Sequence, residues 1–150
     1  MRPSVRALIW LILPTYAEAA GLPGVIAGAR KALAHEDLHI LVVDDASPDG
    51  TGALAEKLGA EVLHRPRKLG LGSAYVAGFT RALAHDPELV CQMDADGSHD
   101  PADLRRLIAL APAPVRSQGY AFQVELTYRA LRRGLRVVDT PILFRERGAR

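Results

Sequence analysis

Apolar residues along this chain come in short dense runs, and between the runs they recur every three or four positions. Residues 7–13 are continuously apolar, and shorter apolar-rich runs follow at 39–43, 60–63 and 89–93. Runs of this length bounded by turn residues read as strands buried on both faces, so strands are expected at 5–13, 39–43, 60–63 and 89–93. After the first run, Leu22, Val25, Ile26, Ala29 and Leu33 fall at helical spacing, with Pro23 tolerated in the first turn. A short helix over 52–58 is stopped by Gly59. Gly70 and Gly72 open the next helix, whose predicted buried face is Tyr75, Val76, Phe79, Ala82 and Leu83. A helix over 101–110 is announced by Asp100 as N-cap, Pro101 at the first helical position and Asp103 in the first turn. The pattern further predicts a helix over 120–133, with Phe122, Leu126 and Ala130 on one face, and a strand at 135–138.

Strand and helix alternate in regular order, which predicts an α/β fold of the Rossmann-like kind. Right-handed crossovers build a mostly parallel sheet with helices on both faces, and the carboxyl ends of the strands form one ligand-binding edge. Composition agrees with a single domain over residues 1–150: 49% hydrophobic content in 150 residues is enough for one core. A net charge of +2, with Lys and Arg dispersed except near the C-terminus, gives no reason to expect a nucleic-acid stripe, so no nucleic-acid partner is expected. The lone Cys91 excludes a disulfide framework and makes a reducing compartment the default. Arg2, Arg6, the apolar run and Ala17-Glu18-Ala19 imitate a short secretory signal, but the run is minimal and Pro14-Thr15-Tyr16 interrupts it. It is also too short to span a bilayer.

The predicted strand order brings four polar or Gly-rich loops to one rim. Pro14-Thr15-Tyr16-Ala17-Glu18 follows the first strand, and Asp44-Asp45-Ala46-Ser47-Pro48-Asp49-Gly50 the second. Lys68-Leu69-Gly70-Leu71-Gly72 follows the third, and Asp94-Ala95-Asp96 the fourth. An aromatic ring with a carboxylate suits a nucleotide base, and carboxylates suit ribose hydroxyls. A Lys beside glycines at a helix start suits phosphate, and two carboxylates two residues apart suit a hard divalent cation. Together they describe a nucleotide-diphosphate site. Asp49 and Thr51 read equally well as turn and cap residues, Tyr16 as an edge of the core, and His99 as an exposed loop histidine. The Gly70-Leu71-Gly72 stretch has Tyr75 where a dinucleotide fingerprint needs a third glycine.

The strings PTYAE, VVDDASPDGT, KLGLGSAYVAGF, MDADGSHDP and QGYAFQVE, in this order along the chain, resemble those of family-2 glycosyltransferases, specifically the dolichol-phosphate (polyprenol-phosphate) mannosyltransferase group. The resemblance implies a GT-A fold and inverting, metal-dependent transfer of mannose from GDP-mannose to a polyprenyl phosphate. By the same resemblance Pro14, Tyr16, Glu18, Val43 and Asp45 hold the guanosine portion. Asp94, Ala95 and Asp96 hold Mg2+ or Mn2+ and the diphosphate, with Asp96 the main metal ligand and the residue on which catalysis rests. Lys68 is a further donor-side residue, and Arg147 is placed on the diphosphate by its distance from Phe144, with Arg145 and Arg150 as alternatives. The resemblance also implies work at the cytoplasmic membrane face, attached peripherally or through a membrane-protein partner.

One stretch departs from the pattern. After the helix over 101–110, alternation calls for a strand, yet the chain enters Ala111-Pro112-Ala113-Pro114-Val115-Arg116-Ser117. The resembled group carries a long acceptor-side segment there, with a central strand, and continues past the position of Arg150 into a membrane-proximal helix. The expected layout is therefore an incomplete GT-A domain, with a donor half over about 5–111 and a C-terminal remnant over about 117–150. Losing that strand counts against transfer and leaves two further readings: a sugar-nucleotide-binding remnant without catalysis, or a family-2 transferase with another sugar or acceptor. A phospho-accepting receiver domain fits worse, because its acidic pair follows the first strand and Asp44-Asp45 follows the second.

Overall fold

The computed structural model describes residues 6–110. In chain order they form β1 (Leu8–Thr15), α1 (Leu22–Ala32), β2 (Asp37–Asp44), α2 (Thr51–Lys57), β3 (Glu61–His64), α3 (Leu71–Leu83) and β4 (Leu89–Gln92). A 3-10 turn (Pro101–Asp103) then runs directly into α4 (Leu104–Leu110). The strands pair in parallel in the order β3-β2-β1-β4. The expected helix over 120–133, the strand at 135–138, the junction at 111–117 and Arg145, Arg147 and Arg150 lie outside the described residues.

β1 is apolar from Leu8 to Pro14 because it is buried on both sides of the sheet. Ile9, Leu11 and Leu13 turn to the face covered by α1, α2 and α4, where they meet Leu22, Val25, Ile26, Ala29, Ala55 and Leu104. Trp10 and Ile12 turn to the face covered by α3, against Ala74, Tyr75 and Ala82. Fully burying one such aliphatic side chain is worth about 1.5–3 kcal/mol, which makes β1 the centre of the fold.

Two strands and the buried face of one helix differ from the sequence expectation for physical reasons. β1 runs on to Thr15, since Pro14 and Thr15 pair with Val43 and Asp44. Pairing with β4 ends at Ile12, so the N–H that Pro14 lacks falls where β1 has one neighbour rather than two. β2 is longer than its apolar run at both ends, taking in Asp37, Leu38 and Asp44. On α3 the buried face is Ala74, Tyr75, Gly78 and Ala82, while Val76 is exposed. Tyr75 and Ala82 match the expected face, whereas Ala74 and Gly78 lie outside a pattern of large side chains, and at Gly78 α3 lies too close to the sheet for one: a Cβ would sit 2.6 Å from Ile12 Cγ2.

The topology decides where a ligand can sit. The chain steps from β1 to β2 to β3 on one side and then returns to place β4 on the other side of β1. The loops after β1 and β4 are therefore neighbours, both lead to the face covered by α1 and α4, and a crevice lies between α1 and the loop after β4. On its far side that crevice is braced by Gly28 of α1, which approaches Pro101 so closely that a Cβ would lie 2.9 Å from the proline ring.

Candidate functional site

The loop after β1 is held from beneath by side chains of the loop after β2. Three consecutive main-chain N–H groups donate outward: Ala17 to Ser47 Oγ at 3.0 Å, Glu18 to Thr51 Oγ1 at 3.0 Å and Ala19 to Asp49 Oδ2 at 3.1 Å. Asp49 Oδ1 also accepts from the Thr51 N–H and hydroxyl. These bonds, the Thr51 hydroxyl first, hold the Asp49 carboxyl below its ordinary value. Ser47 is fixed in turn by Asp44, which accepts its hydroxyl at 2.6 Å and the Thr15 hydroxyl at 2.9 Å. The turn and cap residues expected at Asp49 and Thr51 thus carry a second job, which single-residue reading does not reveal. With the backbone pinned, Ala17 keeps a left-handed φ of 57° and Tyr16 stands out from the rim.

Tyr16 meets Lys68, whose Nζ lies 3.7 Å from the ring centroid, so the loops after β1 and β3 touch through a cation–π contact. The structure alters the expected use of the glycine-rich loop. Its Leu69 and Gly70 N–H groups, which a phosphate would need, both donate to Asp45 Oδ2, at 2.9 and 2.7 Å. Asp45 Oδ1 faces Arg65 Nη1 at 3.1 Å, at an angle that forms an ion pair but no hydrogen bond. Asp45 and Arg65 are both nearly buried, and together they lock the start of α3 to the end of β2. Pro14 and Val43 are buried as well. Val43 packs among Trp10, Ile12 and Tyr75, so it forms the floor of the rim rather than its surface.

At the end of β4 the alternation of the strand continues for three residues. Ala95 turns into the core beneath α1, and Asp94 and Asp96 stand half-buried on the opposite side. Asp94 Oδ1 accepts from the Tyr75 hydroxyl at 2.9 Å, and its N–H donates to His99 Nδ1 at 3.4 Å. Asp96 Oδ1 accepts from the Ser98 N–H at 2.9 Å, in a tight turn that places Gly97 at φ 81°. Burial first, then the charge and hydrogen bond of Asp94 and the charge of Asp96, push the Tyr75 phenol well above its ordinary range. The charges of both carboxylates are therefore felt at the Tyr75 hydroxyl, which donates its hydrogen bond to Asp94. Tyr75 was legible in the sequence only as a core residue, and its polar tip escaped notice; His99 is half-buried rather than exposed.

The acidic turn also abuts the start of α1, where a Cβ on Gly21 would lie 3.5 Å from the Ala95 carbonyl oxygen. Beside it a cleft of about 240 Å³ runs between Gly21 and Gly24 on α1 and Gly97, His99 and Pro101 on the loop. Neither Asp94 nor Asp96 lines that cleft, but two hard carboxylates two residues apart at the end of β4 fit a divalent cation such as Mg2+ or Mn2+. Among the described residues no group of three His, Cys, Asp or Glu surrounds one point. Such an ion would complete its shell with water and ligand oxygens, as magnesium-like ions at phosphate sites do.

Comparison with known proteins agrees with this geometry. The polyprenol monophosphomannose synthase of Mycolicibacterium smegmatis is 33% identical over 216 aligned positions, covering 98% of this chain and 80% of that protein. The undecaprenyl-phosphate mannosyltransferase of Micrococcus luteus is 34% identical over 203 positions, covering 91% of this chain and 83% of its own. An alignment of 216 positions exceeds a chain of 150 by 66, so at least 66 positions of the first relative face no residue here. Among solved structures, a mannosyltransferase from Pyrobaculum calidifontis in complex with GDP-Man and Mn2+ superposes with a TM-score of 0.59 at 26% identity. That match covers 75% of this chain, which spans only 35% of that structure's length. The parallel sheet with helices on both faces is that of a GT-A glycosyltransferase. The glycosyl transferase family 2 model matches residues 10–143, and the chain belongs to that family.

Proposed function

We propose that this chain is built on the donor half of a polyprenyl-phosphate mannosyltransferase and binds GDP-mannose together with a divalent cation. The observation that carries the reading is the placement of Asp94 and Asp96 just beyond β4, on the same strand-end rim as Tyr16, Lys68 and Glu18. It is supported by the names of the two relatives and by the donor and Mn2+ in the Pyrobaculum complex. Either Mg2+ or Mn2+ suits the carboxylates, and the occupied relative favours Mn2+.

In this reading Tyr16, steadied by Lys68, presents an aromatic face to the base, and Glu18 offers a carboxylate on the same rigid loop. Asp45 acts chiefly from behind, by fixing the loop from which Lys68 projects. Asp94 and Asp96 would hold the cation, which when bound supplies positive charge for the departing diphosphate. The acceptor phosphate is ionised near neutral pH, so the protein's task is to align one in-line displacement, which inverts the anomeric carbon, and to exclude water. Arg147 is proposed as a further diphosphate contact. No helix among the described residues is long and apolar enough to cross a membrane. Contact with the lipid acceptor at the cytoplasmic membrane face is proposed to be peripheral or through a membrane-protein partner.

The 66 or more positions without counterpart favour a second reading, in which the donor binds but is not transferred. Incubation with radiolabelled GDP-mannose, Mn2+ and a short polyprenyl phosphate in detergent separates the two. Lipid-linked label that Asp96→Asn abolishes establishes transfer. Equal background from both proteins, alongside retained GDP binding, establishes the binding-only form.

A further inference from the structure

We infer that Tyr75 is a positioning residue for the cation site: its hydroxyl fixes the rotamer and reach of Asp94, so that Oδ2 is presented to a divalent ion. The inference rests on the reading of Asp94 and Asp96 as cation ligands. Three observations make it more than a chance contact. Tyr75 is buried, and a buried hydroxyl without a partner would cost free energy that the phenylalanine analogue avoids. Its hydroxyl ends 2.9 Å from Asp94 Oδ1, leaving the second oxygen on the opposite edge of the carboxylate. The main chain of Asp94 is held separately by its N–H bond to His99 Nδ1, so one hydrogen bond sets the backbone and another the side chain.

The helix that carries Tyr75 is itself held on either side of that residue. The Leu69 and Gly70 N–H groups just before α3 bind Asp45, and Gly78, three residues beyond Tyr75, is pressed against Ile12. Tyr75 sits between these anchors on a rigid element, which is what a residue must have to impose geometry on another side chain. The same arrangement ties the donor-base side of the rim, through Asp45, to the cation side, through Asp94. Groups that orient metal-binding side chains in this way are commonly worth about 10–100-fold in metal affinity.

The test uses Mn2+ alone as probe, with free ion counted by electron paramagnetic resonance, on wild type, Tyr75→Phe and Asp96→Asn. Tyr75→Phe is expected to bind Mn2+ about 10-fold more weakly than wild type, and Asp96→Asn to lose most binding. Wild-type affinity in Tyr75→Phe, with binding lost in Asp96→Asn, overturns the positioning role and leaves the cation site standing. Absence of Mn2+ binding in wild type overturns both. Should Tyr75→Phe fail to fold, wild-type protein labelled with 13C at tyrosine Cζ replaces it. Its Tyr75 signal is identified by elimination with Tyr16→Phe, Tyr120→Phe and Tyr128→Phe. That signal is expected to broaden first as paramagnetic Mn2+ is added; a Tyr75 signal that stays sharp while another tyrosine broadens refutes the inference.

Discussion

Replacing Gly78 with alanine should destabilise the protein, although alanine is the better helix former. Gly78 lies inside α3, where exchanging glycine for alanine ordinarily gains about 1 kcal/mol. Here the new Cβ would stand 2.6 Å from Ile12 Cγ2 and 3.2 Å from Val43 Cγ2, against the roughly 3.5–4.0 Å at which carbon atoms attract. Neither neighbour can give way easily. Ile12 and Val43 are β-branched, with stiff χ1 angles, and both are fully buried in paired strands at the middle of the sheet. Relief must come from moving α3 by about 1 Å, and overpacking of this kind costs about 1–3 kcal/mol. The net effect is a loss of about 1 kcal/mol, read from urea denaturation midpoints at constant slope. Gly72→Ala in the same helix is the control, because nothing lies within 4 Å of the point its Cβ would occupy, and it should be neutral or stabilising. The two variants should therefore differ by about 2 kcal/mol in opposite directions. A Gly78→Ala protein as stable as Gly72→Ala would refute the claim that α3 is held at contact distance by a missing side chain.

Asp45→Asn should cost about 3 kcal/mol or more by the same denaturation assay, because its remaining oxygen can serve the Leu69 and Gly70 N–H groups but an NH2 then faces the nearly buried Arg65 guanidinium, which loses its counter-charge. A loss below about 1 kcal/mol would show that water reaches the pair. Asp49 titrates below its ordinary 3.8, so the stabilisation it brings to the loop at 17–19 is complete above that value and is lost as pH falls through the lower folded value. Amide shifts of Ala19 and Thr51 should move together in that acid range and stay flat in Asp49→Asn; an Asp49 carboxyl titrating at or above 3.8 would contradict the bonding described. Burial pushes the Cys91 thiol up to about 11, so a disulfide reagent at about pH 8 should label it only after urea unfolding. Rapid labelling of native protein would mean that β4 opens readily.

The strands were legible because a parallel strand covered on both faces can be apolar throughout, and residues 7–13 needed no knowledge of their partners to be recognised. The face of α1 was legible for the complementary reason: Leu22, Val25, Ile26 and Ala29 mark it with side chains, and all are buried. Where the packing depends on small residues, as at Ala74 and Gly78, the pattern pointed two residues aside to Val76. The rim was legible as a set of loops, since strand order alone brings them together. What each residue does within the rim was not. Asp45 reaches Leu69 and Gly70, and Tyr75 reaches Asp94, across distances along the chain that only the folded crossovers close. Lys68 could be assigned to phosphate from its neighbours, but its contact with the Tyr16 ring and the bonds of the Leu69 and Gly70 N–H groups to Asp45 are features that only the fold reveals.

The rim at the carboxyl ends of β1, β2 and β4 is proposed to bind a nucleoside diphosphate through a cation held by Asp94 and Asp96, and everything said of the donor depends on it. Calorimetric titration of GDP into the purified 150-residue chain tests it most directly, in Mn2+ and again in excess chelator, for wild type and Asp96→Asn. Saturable binding is expected for wild type in Mn2+, sharply weakened by the chelator and by the substitution. Binding of equal strength in all four titrations, or in none, would contradict it.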